Sequence, residues 1–432
     1  MSVISKIKYF DGATHLYPKK INGKPIDKIN VCGLSYNFAE SASVSGGATA
    51  RLTDSVLEPL RSYSIQGKSV QDANPSRTSP KEIKSVLSDG IEIYSSGTNL
   101  FCTDYHTHTQ AVTYERLSSN SFSCYGSFTS LSGIVRFDLP KVTVGNYYMS
   151  FNFTARNTPD VSRRNEILIW SVTSEATTVR TVFSCGGDAE NVQKGFWIIL
   201  PEDCELRLAW YTNMVSSDVT YYYAKLENIS LTKGTYPYED FSGRNYISIT
   251  EADLKGENAG SFSLNKLGEK TDVLSVDNVL KKAVYKKNTE IKVLTGNESW
   301  RGITDINGDG DIRFYTKITN GFTGIGLCSH FVYDEDLSEA YTFRVEQDNL
   351  VFRLQGFVSL ANWTSFIQGE TQSGNPITIL YAKNTETEYE ITDQTVKNKL
   401  LSLNSFKENT QFEVAGSLPP DTVGISYWKK IN

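Results

Sequence analysis

The 432-residue chain contains only four His and three Met, and its six Cys (Cys32, Cys102, Cys124, Cys185, Cys204 and Cys328) are scattered without a Cys-x-x-Cys pair. With so few imidazoles, a Ser–His–Asp arrangement or a zinc centre would depend on long-range coincidence. No Gly-x-Ser-x-Gly, His-Glu-x-x-His or phosphate-loop signature occurs. The chain is therefore expected not to be an enzyme. Acidic residues outnumber basic ones, 49 against 43, for a net charge of −6 and a pI near 5.5. No clustered Lys/Arg stripe is present, so a nucleic-acid partner is not expected. No apolar stretch approaches membrane-spanning length, and the opening MSVISKIKYFDGATHLYPKK lacks the apolar centre of a signal peptide. The expectation is a chain folded in a cytoplasm without membrane insertion, its thiols reduced and mostly buried. A Cys102–Cys124 bridge is geometrically conceivable.

Aromatic residues are abundant, with 24 Tyr and 21 Phe, and Tyr, Phe, Thr and Val favour pleated, half-buried strands. The length suits two to four domains. In GNYYMSFNFTA, Tyr147, Met149, Phe151, Phe153 and Ala155 share one face of a strand. In CELRLAWYTN, Cys204, Leu206, Leu208 and Trp210 do the same. Many such segments, punctuated by turns, predict an all-β fold of antiparallel β-sandwiches or jelly rolls, with a short N-terminal β region and one short C-terminal helix. That helix is DQTVKNKLLSLNSF, with Asp393 as N-cap and Val396, Leu400, Leu401 and Leu403 near one face. Residues 1–61 read as an N-terminal region and 62–97, with two Pro and few apolar residues, as an extended linker. Residues 98–238 are expected to form a sandwich, 239–285 a polar connector with a weak helix near EADLKG, and 286–432 a second β domain.

Several phrases resemble tail-associated proteins of phages and prophages of Gram-positive bacteria. IQGKSVQDANPSRTSPKEIKSVLSDG is similar to the segment preceding their carbohydrate-binding-module-like jelly rolls, and TNLF at 98–101 to the opening of that jelly roll. LPKVTVGNYYMSFNF resembles its Pro/Gly/Tyr hairpin, and KLENISLTKGTYPYEDF its last strand and exit. VLTGNESW at 293–300 and LLSLNSFKENTQFEV resemble the start and end of their C-terminal domain. The resemblance touches most of residues 62–428 in matching order, while the first sixty match no named family. It implies a virion protein of the tail tip or baseplate, made in the host cytoplasm. Its partners would be other tail or baseplate proteins and host cell-surface carbohydrate, and its usual assembly would be a homotrimer, although no heptad stretch is present. It supplies no catalytic residues. The implied function is glycan binding without catalysis; the alternatives are a purely architectural baseplate component and a surface-glycan depolymerase.

The phrase DINGDGDI places Asp305, Asn307, Asp309 and Asp311 at positions 1, 3, 5 and 7 of a Ca²⁺ loop, with Gly310 at 6. Thr316 stands where a bidentate Glu is required, so an ordinary Gly/Asp turn between strands is preferred and Ca²⁺ is the alternative; no other cofactor is expected. His106 and His108 would share one side of a strand, giving half a metal site per chain, and an exposed polar face is preferred. Trp170, Trp197, Trp210, Trp300 and Trp363 are large enough to stack against a pyranose, but most large aromatics in a sandwich are core. Trp210 is assigned to the core, and Tyr105, Tyr211 and Trp363, which adjoin polar residues, are the carbohydrate-binding candidates. No pair of carboxylates is singled out for glycoside cleavage.

Overall fold

Alternation fixes the sheets. In the Gly145–Arg156 strand Tyr147, Met149, Phe151, Phe153 and Ala155 are buried, and in the Cys204–Thr212 strand Cys204, Leu206, Leu208 and Trp210 are. The computed structural model describes residues 20–21, 24–25, 28–31, 34–44, 49–52, 56–104, 106–109, 112–126, 133–156, 165–172, 177–185, 188–212, 222–234, 241–254, 263–304, 312–357, 359–406 and 410–431. These residues form an all-β molecule of antiparallel sheets with three helices, α1 (Glu251–Leu254), α2 (Leu360–Gln372) and α3 (Gln394–Leu400).

The first lobe is a sandwich of two five-stranded sheets. One runs in the order His106–His108, Gly133–Val142, Cys204–Thr212, Asn165–Val172 and Thr177–Cys185; the other runs Thr113–Ser118, Ser121–Gly126, Tyr222–Lys233, Gly145–Arg156 and Ala189–Leu200. Between them lies a core that includes Phe101, Phe122, Phe137, Phe151, Phe153 and Trp210. Two buried asparagines fasten the start and end of this lobe. Asn99 Oδ1 accepts the Phe101 and Leu231 amides at 3.0 Å each, and Asn120 Nδ2 donates to the carbonyls of Phe101 and Ile229 at 3.1 Å each.

The central lobe draws its core from three widely separated stretches: Leu60, Tyr63, Ile65, Ile91 and Ile93, then Ile247, Ile249, Leu274 and Tyr285, then Leu400, Leu403, Phe412, Val423 and Ile425. This corrects two expectations. The stretch 62–97 is not an extended linker, and 239–285 is not a polar connector, because each contributes strands and buried apolar side chains to this core. The third lobe surrounds Phe314, Phe331, Phe352, Trp363 and Ile367. Two long paired strands, Lys282–Val293 and Thr378–Glu390, run through both lobes: Tyr285 belongs to the central core and its partner Tyr389 packs against it, while Ile379 and Tyr381 belong to the third.

α3 begins where expected, with the Asp393 carboxylate accepting the Val396 amide at 2.9 Å. α2 is a helix that the period-2 reading did not anticipate. The side chain of Ser359 caps it by accepting the Asn362 amide at 3.2 Å, and Trp363 and Ile367, one turn apart, are its buried residues. Cys102, Cys124 and Cys328 are buried free thiols, and Cys204 is buried as well.

Candidate functional site

The sequence candidates fall in very different places. Trp363 is a correction: it is 0% exposed, packed against Trp300 and Phe352 at 5.3 Å each and Phe314 at 5.7 Å, and belongs to the third lobe's core. A ring enclosed by other rings has no face to offer a sugar. Tyr211 is half-buried on the Cys204–Thr212 strand, opposite Ile134 and Glu166. Tyr105 and the Ca²⁺ candidates Asp305, Asn307, Asp309 and Asp311 lie outside the described residues. His106 and His108 stack at 5.7 Å, and the His106 ring lies 3.8 Å from Tyr114, so the edge strand of one sheet meets the edge strand of the other here. Among the described residues no group of three or more His, Cys, Asp or Glu could hold a metal ion.

A Ser–His–Glu chain does exist. Ser329 Oγ and His330 Nδ1 are 2.8 Å apart, and His330 Nε2 lies 3.4 Å from Glu370. Its geometry is that of a structural tie. His330 is 1% exposed, and Ser329 Oγ already accepts the Thr378 amide at 2.9 Å, which joins the Thr378–Glu390 strand to α2. Burial holds the imidazole below its ordinary pKa, against the opposing pull of Glu370.

One arrangement with binding capacity is a cleft of about 610 Å³ between the central lobe and the sandwich. Its floor is the outward face of a four-stranded sheet ordered Arg244–Ile249, Ile91–Ser96, Thr410–Ala415 and Thr49–Leu52. Alternation in IEIYSS and RNYISI buries Ile91, Ile93, Ile247 and Ile249 and turns Glu92, Tyr94 and Tyr246 the other way. Register then sets Tyr246, Tyr94 and Glu413 side by side across three strands. The two tyrosine rings stack at 5.8 Å with 22° between planes, and Tyr246 is 62% exposed. The sandwich contributes Leu100, Leu139, Val142, Tyr147 and Glu205 to the opposite wall. Cavities of this size, partly apolar with a few placed polar groups, suit small ligands.

The polar groups are held in place. Tyr94 Oη donates to Glu92, and burial together with that carboxylate pushes the phenol well above its ordinary pKa, so it stays a donor. At the back, Thr143 bonds to Glu413, Lys233 Nζ donates to Thr143 Oγ1 at 2.5 Å, and Lys233 and Glu413 pair at 3.4 Å. Tyr147 Oη donates to the Thr143 carbonyl at 2.8 Å. This seam pins the sandwich to the sheet and fixes the cleft's width. Glu205 is paired with Arg207 at 3.5 Å. Gln411, in phase with Glu413 on the Thr410–Ala415 strand, adds a side-chain amide to the lining.

Sequence reasoning missed this site because its residues come from a presumed linker, a presumed connector and a closing hairpin. The alternation of 91–96 and 244–249 was readable, but their pairing across the insertion of 98–242 was not.

No protein-family model matches the chain, and no curated protein matches it significantly. Among solved structures it aligns with the enzymatically active domain of bacteriophage CBA120 tailspike protein 4, at 14% identity and a TM-score of 0.21, over 30% of this chain and only 18% of that one. It also aligns with infectious bursal disease virus of the Gt strain, at 9% identity and TM-score 0.17 over 56% of this chain and 88% of that chain. The Gx strain of the same virus gives 8% identity and TM-score 0.17, over 54% and 85%. TM-scores of this size establish no shared overall fold.

Proposed function

We propose that this chain is a virion structural protein of the phage tail or baseplate kind, and that it holds a host-surface saccharide in the Tyr94–Tyr246 cleft without cleaving it. The observation that carries the binding reading is the stacked tyrosine pair, Tyr246 exposed and Tyr94 half-buried, on the floor of a cleft with placed carboxylate, amide and phenol groups. The apolar face of a pyranose packs on such rings while its hydroxyls meet the polar wall. The virion setting is supported by the ordered run of phrases resembling tail proteins of phages of Gram-positive hosts. In that setting the chain sits at the tail tip as one of several copies, a homotrimer by analogy, contacts other tail or baseplate proteins, and gains retention through avidity.

A depolymerase is the second reading, because Glu92, Glu205 and Glu413 line the same cleft. Glu413 is held in the Lys233–Thr143 seam and Glu92 accepts the Tyr94 hydroxyl, which favours binding over hydrolysis. Incubating the full-length protein with a panel of bacterial surface polysaccharides separates the readings. Retention with intact chains, lowered roughly tenfold or more by Tyr246→Ala at an unchanged melting temperature, is the expected result. Shortened chains would make the protein an enzyme, and no retention of any polysaccharide would leave an architectural component.

A further inference from the structure

The sandwich carries a second aromatic feature away from the cleft lining. Ala189–Leu200 is the edge strand of its sheet and pairs with Gly145–Arg156, Tyr148 lying opposite Trp197 and Ser150 opposite Gly195. Ile198, Leu200 and Met149 point into the core, so Trp197 and Tyr148 stand on the outward face. Trp197 is 51% exposed, the most exposed of the tryptophan side chains described. Its ring meets Tyr148 at 5.2 Å with 63° between planes, an open two-walled corner.

Tyr148 occupies its place because position 195 has no side chain. A Cβ built on Gly195 would lie 2.1 Å from Tyr148 Oη and 2.8 Å from Cζ, so the phenol lies down over the glycine backbone and leaves Trp197 standing beside it. Around this corner the outward rows, 146 to 152 on one strand and 193 to 199 on the other, carry Asn146, Ser150, Asn152 and Gln193 beside the exposed Ile199, and no charged side chain; the first charge on this face is Glu227, opposite Asn152 on the next strand. In a chain with one charged residue in five, an uncharged amide- and hydroxyl-flanked aromatic corner complements a neutral ligand with both an apolar face and a hydroxyl rim.

The geometry points to a second saccharide site, in which Trp197 and Tyr148 hold a neutral pyranose unit of a polysaccharide chain and Gly195 sets the corner's shape. This inference rests on the reading that the protein binds surface saccharide, and it adds an independent contact that would make each chain bivalent.

The test uses the full-length protein, its Trp197→Ala, Gly195→Ala and Tyr246→Ala variants, and three probes: neutral hexasaccharides built of glucose, galactose and N-acetylglucosamine. Affinity is measured by calorimetry, and oxidation of Trp197 by N-bromosuccinimide is followed by peptide mass. At least one probe is expected to shield Trp197 from oxidation in the native protein and in Tyr246→Ala. Trp197→Ala should weaken that contact roughly tenfold. Gly195→Ala should weaken it several-fold with Trp197 still present and the melting temperature unchanged, since the added methyl displaces only the far end of a tyrosine. If a probe binds, Tyr246→Ala abolishes binding, and Trp197 stays unshielded, the cleft is the saccharide site and the second site falls. If Trp197→Ala and Gly195→Ala instead lower the sedimentation coefficient, the corner joins copies of the chain and the proposal also falls. Binding of no probe by any of the proteins overturns it together with the cleft reading.

Discussion

Trp363 shows how the same side chain reads from its neighbours in sequence and from its neighbours in space. Beside Asn362 and Thr364 it looks like an exposed ring on a polar strand. On a helix, position 363 shares a face with Phe366 and Ile367, and that face is the one buried. The signals for a helix were present: a serine N-cap at 359, apolar residues at i, i+3 and i+4, Gly374 at a φ of +85° just past the end, and Pro376 beyond. A strand period imposed on an otherwise β-rich chain concealed them. The consequence is a stability prediction. Trp363→Ala should destabilise the third lobe by about 3–5 kcal/mol, the range for emptying an aromatic core site. Trp363→Phe should be much milder, because it also removes a buried indole N–H that has no partner among the described residues. Thermal unfolding checks both, and a Trp363→Phe protein that folded normally but lost polysaccharide retention would reinstate this ring as a binding residue.

At the scale of elements, the alternating strands were legible because each residue's fate depended only on its own phase; Tyr147 through Ala155 and Cys204 through Trp210 are buried as the pattern required. The segment 67–85 was not legible, since its order comes from elsewhere in the chain. Gln71 Nε2 donates to the carbonyls of Lys81 and Cys328 at 3.1 and 3.0 Å, and the Lys81 amide to Ser329 at 2.8 Å. Arg77 places its guanidinium over the rings of Tyr341, Phe357 and Phe366, at 5.1, 5.5 and 5.9 Å. A stretch rich in Pro, Ser and charge is thereby strapped across the third lobe. Arg77→Ala should destabilise that lobe by about 1–2 kcal/mol, and Arg77→Lys should recover little of it, because the planar, weakly hydrated guanidinium is what stacks. Limited proteolysis offers a second measurement: the 71–85 segment should be cut faster in the alanine variant. Equal cleavage rates would mean that the strap is held by its backbone bonds alone.

At the scale of the whole molecule, the sandwich is an insertion. The chain leaves the central lobe at Gly97 and returns at Gly243, where the Gly97 amide donates to the Gly243 carbonyl at 2.9 Å. Before and after that point the strands Ile91–Ser96 and Arg244–Ile249 pair directly, from Ile91 with Ile249 to Ser96 with Arg244. Ends this close allow excision without moving either strand. Replacing 98–242 with a short Gly/Ser link should leave a folded protein, because the central core takes nothing from the deleted stretch. A chain beginning at residue 98 should fail to form that core, since Leu60, Tyr63, Ile65, Ile91 and Ile93 would be missing and strands of the shared sheet with them. The excised protein should retain Tyr94 and Tyr246 yet lose saccharide retention in the cleft, because Leu100, Leu139, Val142, Tyr147 and Glu205 form the opposite wall and Lys233 and Thr143 set the carboxylate of Glu413. Circular dichroism and cooperative thermal unfolding check the first expectation, and polysaccharide retention the second. An excised protein that folded and still retained polysaccharide as well as the intact chain would show that the tyrosine floor binds alone, and would remove the interlobe cleft as the site.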